Sequence, residues 1–179
     1  MSPARLVHAT SDDWRLYRDL WLRMFHHRPD EYTVPGGESP EAWPEQEWRR
    51  RMVGDAGEGR TMAILSEDRW LAMATVFVEE DGERIAYLRE SFIDLTADDS
   101  EWLTVSRPLI DEFFRLLVAE GIARVYTDTL ADRPRVIRYL EATGARRTGV
   151  ERPSATGDIP AVEFVWDIAE IAPQSASTN

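Results

Sequence analysis

FFRLLVAEGIARVYTDTLADRPRVIRYLEATGARRTG, residues 113–149, changes its apolar period three times. Phe113, Phe114 and Leu117, with Ile110 ahead of them, recur at helical spacing, and Gly121 closes that helix. ARVYTDTL (123–130) is rich in β-branched and aromatic residues and predicts a strand. Asp132 is placed to cap a helix over 133–143, which Gly144 ends. RRTGVE (146–151) then begins a strand pair completed by AVEFVWDI (161–168), around the loop RPSATGDIP. Helix, strand, helix and strand in close succession are the pattern of a sheet with helices packed on it.

The same reading extends toward the N-terminus. RLVHA (5–9) predicts a short strand, and Thr10 or Ser11 suits the start of a helix whose first turn holds Asp12 and Asp13. Trp14, Tyr17, Leu20, Trp21 and Met24 make an apolar stripe over a helix at 11–27. HHRPDEYTVPGGESP reads as loop, and a second helix is expected over 39–53. TMAILS, WLAMATVFVEE and ERIAYLRESFIDL predict three strands, the last two joined at EDGE. The order is β-α-α-β-β-β-α-β-α-β-β, an α/β (α+β) domain on a mixed sheet over residues 1–168, with 169–179 expected to be a disordered tail.

Composition narrows the chemistry. The chain has 179 residues and no cysteine, which excludes disulfides, thiolate metal sites and a cysteine nucleophile. His8, His26 and His27 are the only histidines and show no HExxH spacing, so no metal is expected. No apolar run is long enough to span a bilayer, and the N-terminus lacks a signal-peptide layout; the expected compartment is the cytoplasm, with no membrane partner. With 33 acidic against 21 basic residues the net charge is -12, which repels nucleic acid and attracts cationic amines. Simple solubility explains the same charge, and both readings stay open.

The element order, the opening ATSDDW (9–14), the stretch EWRRRM (47–52) and above all residues 113–149 resemble the GNAT superfamily of N-acyltransferases. The resemblance runs from residue 5 to about 167. It implies a GNAT-like fold and transfer of an acetyl or other acyl group from acyl-CoA, as co-substrate, to an amine. It also implies a small-molecule amine or CoA thioester as partner, and a homodimer as one arrangement, with the apolar final strands as the contact.

Two places depart from the family pattern. Members carry a Q/R-x-x-G-x-G/A loop whose backbone N–H groups, at a helix start, cradle the acyl-CoA pyrophosphate. Glu101-Trp102-Leu103-Thr104-Val105-Ser106 stands there, without either glycine and with Glu101 in place of the basic residue. Asp98, Asp99 and Glu101 oppose a pyrophosphate, and Pro108 is expected in the first turn of the following helix. The implied donor contacts are Thr104, Val105, Ser106 and Arg107, with Ile93 and Leu95 from the preceding strand and Arg133 at the family's loop asparagine. The family's general acid is a tyrosine four residues before the helix-ending glycine; here that position is Leu140. Tyr139 is adjacent, but one helical residue is a rotation of about 100°.

What remains for chemistry is a carboxylate. The family often takes the ammonium proton with an acidic residue on the fourth strand, and Glu90 stands there with Leu88 and Phe92 on its face. An apolar face raises a carboxyl pKa toward neutrality, which suits a base; an ion pair with an arginine of an adjacent strand is the structural alternative. His26, Tyr32, Tyr126 and Asp128 are the implied substrate-binding residues, although His26 reads first as a helix cap. Trp43 and Trp48 read as packing, and Arg49-Arg50-Arg51 as a solvated face. Two functions stay open: an acyltransferase with a diverged donor site, or a GNAT fold that has lost acyl-CoA use and binds a partner or catalyses another reaction in the cleft.

Overall fold

The structure, a computed structural model, describes residues 4–27, 39–53, 59–81, 83–93, 99–153 and 159–171. Its elements are β1 (Arg5–His8), a 3-10 turn (Ser11–Asp13), α1 (Trp14–His27), a 3-10 turn (Pro40–Ala42), α2 (Glu45–Val53), β2 (Arg60–Ser66), β3 (Arg69–Asp81), β4 (Glu83–Ile93), α3 (Asp99–Ala119), β5 (Arg124–Leu130), α4 (Pro134–Ala142), β6 (Arg146–Arg152), β7 (Ala161–Asp167) and α5 (Ile168–Ile171). The strands form a seven-stranded sheet of order β1-β2-β3-β4-β5-β7-β6. The β4–β5 pair is parallel, whereas β1–β2, β2–β3, β5–β7 and β6–β7 are antiparallel, so the mixed α/β sheet expected from sequence is present. The chain divides into two compact units, Met1–Phe77 with Glu90–Leu109, and Val78–Arg89 with Ile110–Asn179.

In the first unit the aromatic stripe of α1 meets the sheet. Tyr17, Leu20, Trp21 and Met24 are buried with Trp48 and Met52 of α2 and with Ala63, Trp70, Met73 and Phe92 of the strands. Thr10 starts the chain into this helix with a capping box, its side chain and that of Asp13 each satisfying the other's backbone. The helix expected over 39–53 is two pieces. Pro44 falls between them, and its carbonyl accepts from Glu47 N at 3.0 Å and Trp48 N at 3.4 Å, so it starts α2 afresh. The three arginines of α2 are engaged rather than merely solvated. Arg49 pairs with Glu45 and Asp12, Arg50 and Arg51 pair with Glu47, and the Arg51 guanidinium lies 4.0 Å from the Trp43 ring centroid.

In the second unit α3 and α4 end in the same way. Gly121 N donates to Val118 O at 3.0 Å and Ile122 N to Leu117 O at 2.9 Å; Gly144 N donates to Glu141 O and Ala145 N to Leu140 O, both at 3.0 Å. These are Schellman caps, and both glycines adopt the left-handed φ they require, +72° and +92°. A β-carbon at Gly144 would lie 3.2 Å from Ile171 Cδ1, whereas one at Gly121 meets nothing within 4 Å. Gly144→Ala is therefore expected to cost about 2 kcal/mol or more and Gly121→Ala only the backbone share of that, about 1 kcal/mol, measured by urea unfolding. Trp166 of β7 lies against Phe114 of α3, ring centroids 6.1 Å apart, and its Nε1 donates to Thr143 Oγ1 at 3.1 Å.

Four boundaries correct the sequence reading. α3 starts at Asp99, so residues 99–107 are helix and not loop, and Pro108 lies inside the helix. Arg133, not Asp132, is the N-cap of α4, and Pro134 takes the first helical position, where a missing N–H costs nothing. α4 itself spans Pro134–Ala142. Residues 168–171 form the short helix α5, with Ile168 buried, where a tail was expected from 169.

Candidate active site

Strict alternation along β4 puts Ala86, Leu88, Glu90 and Phe92 on one face, with Ala86 and Phe92 buried. Glu90 is half-buried on that apolar face. Its partner comes from α1: the buried Tyr17 hydroxyl donates to Glu90 Oε2 at 2.5 Å. Burial pushes the Glu90 carboxyl above its ordinary value, opposed in part by the Tyr17 hydrogen bond and by the positive charge of Arg51. Tyr17 is held well above the ordinary tyrosine value, first by burial and then by the neighbouring Glu90 charge, so it stays a neutral donor. Oε1 of Glu90 accepts no hydrogen bond from another described residue. The arrangement is a carboxyl group of raised pKa, fixed through one oxygen and free at the other. Such a carboxyl group has the chemistry of a proton acceptor.

The sequence reading placed Glu90 on this face but missed Tyr17, which reads only as part of the α1 stripe. The alternative, an ion pair of Glu90 with an arginine, is not made among the described residues; the adjacent Arg89 pairs with Glu79 at 3.5 Å. In the second unit β4 and β5 pair from Ile85↔Arg124 to Tyr87↔Tyr126. Beyond that pair the backbone ladder ends, and Thr127 Oγ1 donates to the Leu88 carbonyl at 3.0 Å. Here a cavity of about 400 Å³ is lined by Tyr87, Leu88, Arg89, Tyr126, Thr127, Asp128, Arg152 and Glu163. Two of the expected substrate residues, Tyr126 and Asp128, are thus brought together. Tyr87, Arg152 and Glu163 were missed.

The expected donor contacts are dispersed. Thr104, Val105, Ser106 and Arg107 sit within α3, past its first turn, where backbone N–H groups turn to intrahelical carbonyls. The segment that the resemblance assigns to the phosphate loop is thus helical from Asp99 onward. Ser106 is buried and Arg107 exposed, and the side chains of Thr104 and Val105 lie outside what the structure describes. Ile93 ends β4, Leu95 lies outside the described residues, and Arg133 caps α4 with Nε 3.6 Å from Asp132. Leu140 is a buried residue of α4. Of the remaining substrate candidates, Tyr32 lies outside the described residues. His26 is exposed at the end of α1, with Nε2 2.5 Å from Glu41 Oε1. The Ser39 hydroxyl and that histidine hold the Glu41 carboxyl down at about 2. Among the described residues no cluster of His, Cys, Asp and Glu is arranged for a metal, and no helix is long and apolar enough to cross a membrane.

This architecture has close counterparts. The ribosomal-protein-S5-alanine acetyltransferase of Vibrio fischeri superposes with a TM-score of 0.71 over 97% of each chain, at 11% identity. Its fold is that of the GNAT N-acetyltransferases. The GNAT fold is shared with Mycobacterium smegmatis RimJ, solved in complex with CoA-disulfide, at a TM-score of 0.71 and 13% identity over 95% of this chain and 84% of that one. In sequence, the uncharacterized N-acetyltransferase YhbS of Escherichia coli is 30% identical over 76 residues, 42% of this chain. That match spans 43% of the relative's length, less than half of it. No protein-family model matches the chain.

Proposed function

We propose that this chain is a GNAT-like N-acyltransferase, moving an acyl group from a CoA thioester to an amine. The observation that carries the reading is Glu90, half-buried and held by Tyr17 on the β4 strand of this fold. Glu90 Oε1 takes a proton from the ammonium form of the acceptor. The freed amine lone pair attacks the thioester carbonyl, the C–N bond forms as the C–S bond breaks, the nitrogen gives up its second proton to solvent, and the sulfur leaves as a thiolate that takes a proton from solvent. With leucine at 140, α4 supplies no acid for that last step. Loss of one general acid costs about 10²- to 10⁴-fold, which slows transfer without abolishing it.

The donor half supports a second reading. The sequence of the first turn of α3 puts Asp99 and Glu101 at the helix's positive end, where the pyrophosphate of acyl-CoA would be held, and no glycine stands in 99–107. A GNAT fold that has given up acyl-CoA for another ligand is consistent with that charge. Calorimetric titration with acetyl-CoA at low and moderate salt, with desulfo-CoA as control, separates the two. Saturable binding is the expected result, and the salt series shows whether like charge opposes it. No binding at millimolar ligand would leave the second reading.

A further inference from the structure

A carboxylate among apolar side chains is costly unless a positive charge offsets it. Glu90 is half-buried on an apolar face, and the Tyr17 hydroxyl gives it a hydrogen bond but no charge. The strand residues buried around Tyr17 are Ala63, Trp70, Met73 and Phe92, none of them ionisable. On β4 itself, Arg89 alternates to the opposite face and pairs with Glu79. On α1, Arg23 turns to Asp19 and to the Trp70 carbonyl, and Arg18 lies 6.0 Å from the Trp48 ring centroid.

The remaining cation comes from α2. Trp48 meets Tyr17 edge-on, with ring centroids 5.9 Å apart, and Arg51 follows three residues later on the same helix face. The Arg51 side chain is 18% exposed, and its guanidinium lies 4.0 Å from the Trp43 ring centroid. Among the described residues its hydrogen bond is from Nε to Glu47 Oε1, at 3.1 Å. Glu47 neutralises it only in part, because Arg50 holds both oxygens of the same carboxylate, at 2.8 and 2.7 Å. One carboxylate between two guanidiniums leaves positive charge at Arg51, fixed in place and largely withdrawn from water. That charge bears on both members of the buried pair. It opposes the burial that raises Glu90, together with the Tyr17 hydrogen bond, and it opposes the rise at Tyr17.

We propose that Arg51 is a positioning residue for the candidate base, a guanidinium locked between Glu47 and Trp43 that supplies the counter-charge of the Glu90 carboxylate across the α1–α2 contact. The proposal rests on the reading of Glu90 as the base and divides the work around it. Tyr17 fixes one oxygen of the carboxyl group, and Arg51 decides at which pH that group is free to accept a proton.

The test follows the Glu90 titration in the full chain without substrate, by carbon-13 NMR of labelled glutamate carboxyl groups, the Glu90 signal being the one absent from Glu90→Gln. In Arg51→Met, which keeps an apolar stem over Trp43, the midpoint is expected to move to higher pH. Arg51→Lys keeps the charge and should stay near the wild type. Glu47→Gln removes a negative charge and leaves Arg51, so its midpoint should move to lower pH. With acetyl-CoA and an amine acceptor, the acid limb of kcat/KM should shift in the same order. Arg51→Met should then lose several-fold in rate on that limb and keep most of its rate on the plateau. A merely structural role would lower the rate at every pH and leave the midpoint in place. A wild-type midpoint in Arg51→Met, or an equal displacement in Arg51→Lys, would overturn the proposal. A displaced midpoint in a chain that acylates no amine upholds Arg51 as the counter-charge of Glu90 and removes the acyltransferase reading alone, so the two failures are distinguishable.

Discussion

Glu90→Gln is expected to lower kcat of acyl transfer by about 10²- to 10⁴-fold while leaving donor affinity near that of the wild type. Glutamine keeps the size of the side chain and an oxygen that can accept from Tyr17, but removes the basic lone pair on the other atom. Unfolding will not explain the loss. Burial raises the Glu90 pKa above its unfolded value, so the folded state holds the proton more tightly. The stability from that proton is fully present below the unfolded pKa and is lost as pH rises through the folded one. Glutamine mimics the protonated form and should be as stable as the wild type, or more so, at neutral pH. The same signs predict the companion result. The Tyr17 hydrogen bond lowers the Glu90 pKa, so Tyr17→Phe should move the acid limb of kcat/KM to higher pH. A base elsewhere would leave both the Glu90→Gln rate and the limb in Tyr17→Phe unchanged.

How far the sequence foretold this arrangement depends on the range of the interaction that decides each part. The α1 stripe was legible because helical spacing alone marks its inner face, and Tyr17, Leu20, Trp21 and Met24 are buried. Gly121 and Gly144 were legible as helix ends because a left-handed cap needs a residue without a β-carbon. The start of α3 was not. The family's loop was laid over residues 101–106 and Pro108 in the first turn of the helix after it, yet the helix starts at Asp99 and runs through that proline, which removes the bond to the Thr104 carbonyl. That one boundary puts helix where the phosphate loop was expected. Glu90 was found because a lone carboxylate breaks an apolar alternation, whereas Tyr17 lies 73 residues away and no local pattern joins them. Asp128 and Tyr126 were singled out from the end of a strand, and both line the cavity. Glu163 and Arg152 became visible only with the register of β5 against β7.

Trp48→Ala is expected to destabilise the fold by about 3–5 kcal/mol, read from the urea midpoint with an unchanged slope. Trp48 is fully buried, with its ring 5.9 Å from Tyr17, 5.7 Å from Trp21 and 4.9 Å from Trp43, so truncation leaves a cavity bordered by three aromatic rings. Rings of that size do not collapse into the space without leaving their rotamers. The indole Nε1 has no hydrogen-bond partner among the described residues, so the loss is one of packing. Trp48→Phe should accordingly cost less, because it keeps an aromatic ring and forfeits no hydrogen bond. The consequence extends to the candidate base. Tyr17 meets Trp48 edge-on and donates to Glu90, so a cavity beside Tyr17 loosens the hydroxyl that fixes Oε2. Under conditions where Trp48→Ala remains folded, its acid limb should move toward that of Tyr17→Phe. A variant that loses stability but keeps the wild-type limb would show that Glu90 is positioned without α1.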